Sequence, residues 1–145
     1  MPARPVALPI GTAAPPLTLP DLDGKRIDLA DFHGHPALLL FWNPGCGFCQ
    51  RMLDNLKAWE AHPPKDAPRL LVVSTGTVEA NQAMGLRSPI LLDQHFAAGR
   101  QFGVTGTPMA VLLDAQGRIA SEVVAGASAV LTLANDPHQL KLLPV

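Results

Sequence analysis

The sequence is short of cysteine, of net charge and of long apolar runs, and each shortage excludes a class of protein. Two cysteines among 145 residues are too few for a small domain that disulfides hold together. A formal net charge of -1 gives no reason to expect a nucleic acid or a charged membrane surface as a partner. No apolar run approaches the roughly 18 residues that a membrane-spanning helix needs, and no glycine-rich nucleotide-binding motif is present.

The rest of the composition is that of one folded domain. Hydrophobic residues make up 48% of the chain and charged residues 16%, and a chain of this length can bury a core. Residues 1–16 differ because they are rich in proline, which fixes φ and removes a backbone donor. We therefore predict an extended N-terminal arm over residues 1–16 and a single domain over residues 17–145.

Both cysteines lie in one stretch where a buried strand gives way to a helix. Residues 37–42 are apolar throughout, which predicts a central strand with both faces buried. Asn-Pro-Gly at 43–45 breaks this run. After Cys46, apolar residues recur at helical spacing, on the face that carries Cys49, to about Ala61.

This position predicts different chemistry for the two thiols. Cys46 is placed at the helix start, where unpaired N–H groups and the helix dipole favour an anion, so its pKa should fall below about 8.5. Cys49 lies roughly one turn further on and against the core. We predict that Cys46 attacks a partner disulfide and that Cys49 then attacks Cys46 and releases the reduced partner.

The stretch from Phe41 to Cys49, with Phe-Trp before Cys-Gly-Phe-Cys, resembles the active site of thioredoxin-like proteins. Its surroundings are most similar to the TlpA/ResA-type branch of thiol–disulfide oxidoreductases, over residues 10–133. A lone CxxC is weak evidence, but a CxxC between such a strand and a helix is strong. The resemblance implies an α/β thioredoxin fold with a mixed β-sheet flanked by helices, an N-terminal β-hairpin and a central strand–helix insertion.

The elements that we expect follow from local patterns. They are a hairpin from 17–19 and 26–29, a strand at 69–74, a short helix at 78–84 capped by Thr77, a strand at 89–92, a helix capped by Asp93 through Phe102 with Phe96, Ala97 and Phe102 facing inward, a hairpin from 109–114 and 118–124, and a helix at 126–134. The last stretch, 135–145, is one more helical turn or a tail.

Gly-Val-Thr-Gly-Thr-Pro at 103–108 is the second motif that carries the resemblance. In the thioredoxin fold the residue equivalent to Pro108 is a cis-proline beside the CxxC. The resemblance implies that the Thr107 backbone pairs with an extended substrate, as in β-augmentation, and that the Thr107 side chain faces the cysteines. It also implies an apolar partner surface, formed by Trp42, Pro44 and Phe48.

One departure from thioredoxin concerns proton transfer. Thioredoxins carry a buried aspartate two residues before the tryptophan and a buried lysine on the neighbouring strand. This chain has Leu40 at the first position, and the strand at 69–74 has no charge after Arg69. We therefore expect water, or a carboxylate from elsewhere in the chain, to take the proton of Cys49.

The resemblance also implies partners and a compartment. The partners are disulfide-bearing proteins, such as apocytochromes or copper-site proteins outside the cytoplasm, and an upstream dithiol electron donor. The expected location is periplasmic or extracytoplasmic, and we expect a monomer without a cofactor. Related proteins are often held by an N-terminal anchor, which this sequence does not show. A shortened form, a piece of a larger membrane protein and a cytosolic protein all fit.

Alternatives to a disulfide reductase remain open. The dipeptide Gly47-Phe48 differs from the Gly-Pro of thioredoxin and could make the protein a disulfide-forming oxidant. The two thiolates could instead bind copper(I) or zinc, although Sco-type copper proteins need a wider spacing and a histidine. His33 and His35 lack a third ligand nearby and read as polar loop residues. A peroxiredoxin would need a threonine where Asn43 stands.

Overall fold

The structure, a computed structural model, describes residues 8–135. The start of the predicted arm and the predicted last turn or tail after Asn135 lie outside these residues. The strands are β1 Thr18–Pro20, β2 Arg26–Asp28, β3 Ala37–Trp42, β4 Arg69–Ser74, β5 Ile90–Leu92, β6 Met109–Leu113 and β7 Val124–Ala125. The helices are α1 Gly47–Ala61, α2 Val78–Gln82, α3 Ala97–Gln101 and α4 Ala127–Asn135, with short 3-10 turns at Leu29–Phe32 and Gln94–Phe96.

The main sheet has five strands in the order β5-β4-β3-β6-β7. β3 lies in its centre and is buried along its whole length, as the uninterrupted apolar run predicts. It runs parallel to β4 and antiparallel to β6. A mixed sheet with helices packed against it is the predicted architecture, and it is confirmed.

The side chains of β3 alternate between two cores, one on each face of the sheet. One face packs against α1 and α4, and its buried residues include Leu38, Leu40, Trp42, Met52, Leu56, Val130 and Leu133. The other face includes Leu39, Phe41, Val73, Phe102 and Val104, together with Leu17 and Leu29 from the hairpin region. Because successive side chains of a strand point to opposite faces, one apolar run supplies both cores.

The N-terminal region lies against the domain. β1 pairs antiparallel with β2, as predicted. Before it, the Gly11 N–H donates to the Ile119 carbonyl at 2.8 Å and the Ala14 N–H donates to the Gly117 carbonyl at 3.0 Å. The described part of the arm therefore runs along residues 117–119. The domain boundary at residue 16 stays a prediction.

The helix predicted from Asp93 to Phe102 is kinked, and one of its inward residues is wrong. The Asp93 carboxylate accepts the N–H groups of Ala98 and Gly99 in the first turn of α3, although the N-cap residue of α3 is Phe96. His95 and Phe96, however, both have φ of 60°, so α3 begins only at Ala97. Ala97 is therefore exposed and Ala98 is buried in its place, while Phe102 is buried as predicted.

The predicted strand at 118–124 is mostly absent. Only an isolated bridge at Ile119 and the two residues of β7 pair with β6. Between them, the N–H of Leu112 donates to the Ser121 hydroxyl at 2.9 Å. The Ser121 hydroxyl takes the place of a backbone carbonyl as the acceptor, so the backbone hydrogen bonding between this segment and β6 is interrupted there.

Candidate active site

A tight turn carries the chain from β3 to Cys46. The side-chain oxygen of Asn43 accepts a hydrogen bond from the Gly45 N–H at 2.9 Å. The backbone carbonyl of Asn43 accepts one from the Cys46 N–H at 2.9 Å. The Gln50 side chain donates to the Pro44 carbonyl at 3.0 Å and ties the turn to α1. Cys46 is thereby fixed as the N-cap residue of α1, which is the position that the sequence predicts for it.

Cys46 is partly exposed, and its surroundings favour the thiolate. Burial works to raise the pKa of Cys46, yet hydrogen bonds to its sulfur outweigh burial, and the pKa lies below its ordinary value. The groups that lower it are the backbone N–H groups of Cys49 and Phe48, the Thr107 side chain and the Cys49 thiol. Unpaired N–H groups of a first helical turn stabilise an anion in this way.

Cys49 is completely buried and has the opposite tendency. Burial raises the pKa of its thiol to about 12, and the neighbouring Cys46 also raises it, while the backbone of Asn43 works to lower it. Both cysteines are free thiols. The pair therefore combines a half-buried thiol that ionises readily with a buried thiol that holds its proton.

The loop before β6 reaches the cysteines from the other side. The Cys46 thiol donates to the Thr107 carbonyl at 3.5 Å, across 61 positions of sequence. The Thr107–Pro108 peptide bond is cis, and Pro108 is buried. Its carbonyl accepts the Gly126 N–H at 3.0 Å, just before α4. The two motifs of the sequence thus meet at Cys46.

The surface beside Cys46 is apolar but smaller than predicted. Phe48 is 64% exposed, and the Arg51 guanidinium lies 4.9 Å from the centre of its ring. Pro44 is half-buried. Trp42, by contrast, is 0% exposed, so its predicted place on this surface is wrong. Its side chain points into the α1-facing core, and its Nε1 donates to the Met84 sulfur at 3.0 Å.

A loop that the motifs did not reveal borders the same site. β3 and β4 are parallel neighbours with Trp42 opposite Ser74, so the loops after both strands leave the sheet at one edge. The Thr75 N–H donates to the Trp42 carbonyl at 3.1 Å. The α-carbon of Gly76 faces the Pro44 ring closely enough that an added Cβ would lie 3.5 Å from it. Only the strand order could have indicated this neighbour.

In the described part of the chain, the groups that shift the Cys49 pKa come from Asn43, Cys46 and Thr107, and none of them is a carboxylate. Leu40 is buried in the adjacent core, so the departure from thioredoxin persists.

His33 and His35 precede β3, at the end of the sheet away from Cys46, and the His33 ring packs on Gly117. Across residues 8–135, no group of three or more His, Cys, Asp or Glu side chains could hold a metal ion.

Comparison with known proteins agrees with this geometry. The chain belongs to the AhpC/TSA family, whose sequence model matches residues 10–122. It is 28% identical over 118 residues to the thiol–disulfide oxidoreductase ResA of Geobacillus thermodenitrificans, covering 78% of this chain and 68% of ResA.

Two solved structures have the same fold. The thioredoxin domain of a thiol–disulfide oxidoreductase from Bacteroides vulgatus superposes with a TM-score of 0.69 at 27% identity, covering 88% of this chain and 96% of that domain. A secreted disulfide oxidoreductase of Mycobacterium tuberculosis gives a TM-score of 0.64 at 26% identity, covering 81% and 96%. By class, the chain is a thioredoxin-like protein-disulfide oxidoreductase.

Within residues 8–135, no helix combines the length and the apolar character needed to cross a bilayer.

Proposed function

We propose that the protein reduces disulfides of extracytoplasmic proteins through the Cys46–Cys49 dithiol. The observation that carries this proposal is the contrast between the two thiols. Cys46 is accessible with a lowered pKa, whereas Cys49 is buried with its pKa raised to about 12. A thiolate is the attacking species in disulfide exchange, so this contrast supports a first attack by Cys46 and a resolving attack by Cys49.

The exchange then has two balanced steps. The Cys46 thiolate attacks one sulfur of the partner disulfide, which forms a mixed disulfide and expels the other partner sulfur as a thiolate that takes a proton from water. The Cys49 thiol next gives up its proton and attacks the Cys46 sulfur, which expels the second partner thiol. The partner gains two electrons and two protons, and Cys46 and Cys49 become a disulfide that an upstream dithiol donor reduces.

Loss of the Cys49 proton is the demanding part of this cycle. Among residues 8–135 no carboxylate shifts the Cys49 pKa, so solvent is the acceptor that we propose. The mixed disulfide removes the Cys46 thiolate, whose charge works to raise the Cys49 pKa. The backbone of Asn43 favours the Cys49 anion. Formation of the mixed disulfide therefore prepares Cys49 for its attack.

The residues around Cys46 are those that contact the partner protein in this proposal. Phe48 is the large apolar side chain exposed beside the reactive sulfur, and Pro44 adjoins it across the turn. Thr107 and Pro108 form the opposite wall, where an extended partner segment could add its backbone alongside. A monomer suffices for this arrangement. An extracytoplasmic location, with or without a membrane anchor, is supported by likeness to the secreted mycobacterial protein.

The test is trapping of partners with matched cysteine variants. Cys49→Ser should accumulate mixed disulfides with a disulfide-bearing substrate, because the resolving sulfur is missing, while Cys46→Ser should form none. A folded Cys49→Ser protein that traps nothing would contradict the two-step mechanism.

The midpoint potential in thiol–disulfide buffers decides the direction. A value near about -270 mV supports a reductase, and a value near about -120 mV would make the protein an oxidant.

A further inference from the structure

Asn81 is a polar side chain in an unusual place. It lies in α2, is completely buried, and is the one residue among those described whose buried side chain keeps an unpaired polar atom, its Oδ1. A buried acceptor without a partner is unfavourable, and such a group calls for an explanation. An apolar side chain of the same size would avoid this cost, so the explanation lies in what the amide nitrogen of Asn81 does.

The amide nitrogen holds the loop after β4. It donates to the Thr75 carbonyl at 3.0 Å and to the Thr77 carbonyl at 2.8 Å, and so spans the loop from both ends. Gly76, between these residues, has φ of 89°, which favours glycine. The amide nitrogen lies 3.7 Å from the position that a Gly76 Cβ would take.

The same loop supports the turn that carries Cys46. Gly76 faces the ring of Pro44, and Thr75 is hydrogen-bonded to the last residue of β3. Pro44 is the second residue of the turn in which Asn43 fixes Gly45 and Cys46. A continuous set of contacts therefore runs from Asn81 through the 75–77 loop and Pro44 to the N-cap of α1.

We propose that Asn81 is a positioning residue for Cys46, acting through the 75–77 loop and the Pro44 ring. It keeps the turn in the geometry that aims the first N–H groups of α1 at the Cys46 sulfur. An amide that places its two N–H donors against the 75–77 loop also carries Oδ1, and this oxygen is left without a hydrogen-bond partner. The inference rests on the proposed role of Cys46 as the attacking thiol, but it concerns the ionisation of Cys46 and can be tested without a partner.

The experiment compares Asn81→Leu with Glu60→Gln, each in a Cys49→Ser background so that Cys46 is the single thiol. Leucine keeps the number and branching of the side-chain heavy atoms of asparagine and removes both donors. Glu60 is the matched control, because its carboxylate accepts the N–H groups of Arg87 and Ser88 and clamps the same segment between β4 and β5 away from Pro44. Thiolate absorbance against pH gives the Cys46 pKa, and urea unfolding gives the stability.

We expect both variants to lose stability and only Asn81→Leu to raise the Cys46 pKa. A rise of about half a unit corresponds to a threefold loss of thiolate at a pH below the pKa. An unchanged pKa in a folded Asn81→Leu protein would overturn the proposal. A wild-type protein without disulfide exchange would instead refute the proposed function and leave this pKa comparison intact.

A second pair of variants decides the matter if Asn81→Leu does not fold. Gly76→Ala and Gly24→Ala place the same methyl group at nearly equal φ, 89° and 85°, so their backbone strain is matched. Only the Gly76 change strains the loop that Asn81 holds, where the methyl would lie in ordinary contact with Pro44 at 3.5 Å, whereas nothing lies within 4 Å of the Gly24 position. A shift of the Cys46 pKa in Gly76→Ala alone supports the proposal, and equal values in both variants overturn it.

Discussion

The opposite pKa shifts of the two thiols predict how the stability of the reduced protein depends on pH. Cys49 has an ordinary pKa of 9.0 in the unfolded chain and about 12 in the fold. Its contribution to stability is fully present below pH 9 and is lost as the pH rises from 9 to the folded value, because between these two values only the unfolded chain releases the proton. The expected slope is about -1.4 kcal/mol per pH unit above pH 9.

Cys46 contributes to the pH dependence of stability with the opposite sign. Its pKa is lowered in the fold, so its contribution is present above the unfolded pKa of 9.0 and is lost as the pH falls through the folded value. The reduced protein should therefore gain stability as the pH rises toward 9 and lose it beyond. The absence of tyrosine from the chain removes one other group that titrates near pH 10.

The assay is urea unfolding of the reduced protein between pH 7 and about 10.5. Across the alkaline part of this range Cys49 should remove about 2 kcal/mol, which at a typical slope of about 2 kcal/mol/M moves the urea midpoint by about 1 M. Cys49→Ala is the control that retains every other titrating group. An equally steep alkaline loss in Cys49→Ala would refute the assignment of this slope to the buried thiol.

Two further predictions concern the partner surface and the kinked helix. Phe48→Ser should lower kcat/KM about fivefold or more for a protein disulfide and leave kcat/KM for a small aromatic disulfide unchanged, since the Phe48 N–H remains. Ile10→Ser, which removes another large exposed apolar side chain, is the control. An equal loss with both substrates would contradict a docking role for Phe48. Gly99→Ala should lower the free energy of unfolding in urea by about 1–3 kcal/mol, because the added Cβ would lie 2.6 Å from the Phe96 ring. Gly47→Ala is the control and should not lower it, because no atom lies nearer than 4.0 Å to the added Cβ. Equal urea midpoints for the two variants would show that the Phe96 ring moves aside freely.

The sequence predicts β3, the CxxC and α1 well because these features depend on local pattern. An apolar run of strand length, a turn tripeptide and a helical repeat follow one another, and each is specific on its own. The approach of Thr107 to Cys46 is different. It joins residues 61 positions apart, and no local pattern encodes such a pairing, so only the likeness to thioredoxin-like proteins indicated it.

The wrong predictions share a physical cause, which is tertiary packing. The orientation of Trp42 depends on which face of β3 meets α1, and the sequence of a strand buried on both faces does not distinguish them. The face of α3 depends on two residues with positive φ, at His95 and Phe96, which non-glycine residues adopt uncommonly. The loss of the 118–124 strand depends on one hydroxyl, that of Ser121, in place of a carbonyl.

The Thr107 side chain is among the groups that lower the Cys46 pKa, so part of the reactivity of this thiol is a property of the finished fold. During synthesis the first cysteine emerges long before Thr107, and until β6 pairs with β3 it has the surroundings of any thiol in a flexible chain. The part of the pKa shift that Thr107 supplies therefore arises only when the loop before β6 reaches Cys46. The rate at which an alkylating reagent labels Cys46 should therefore change when this loop reaches its final place.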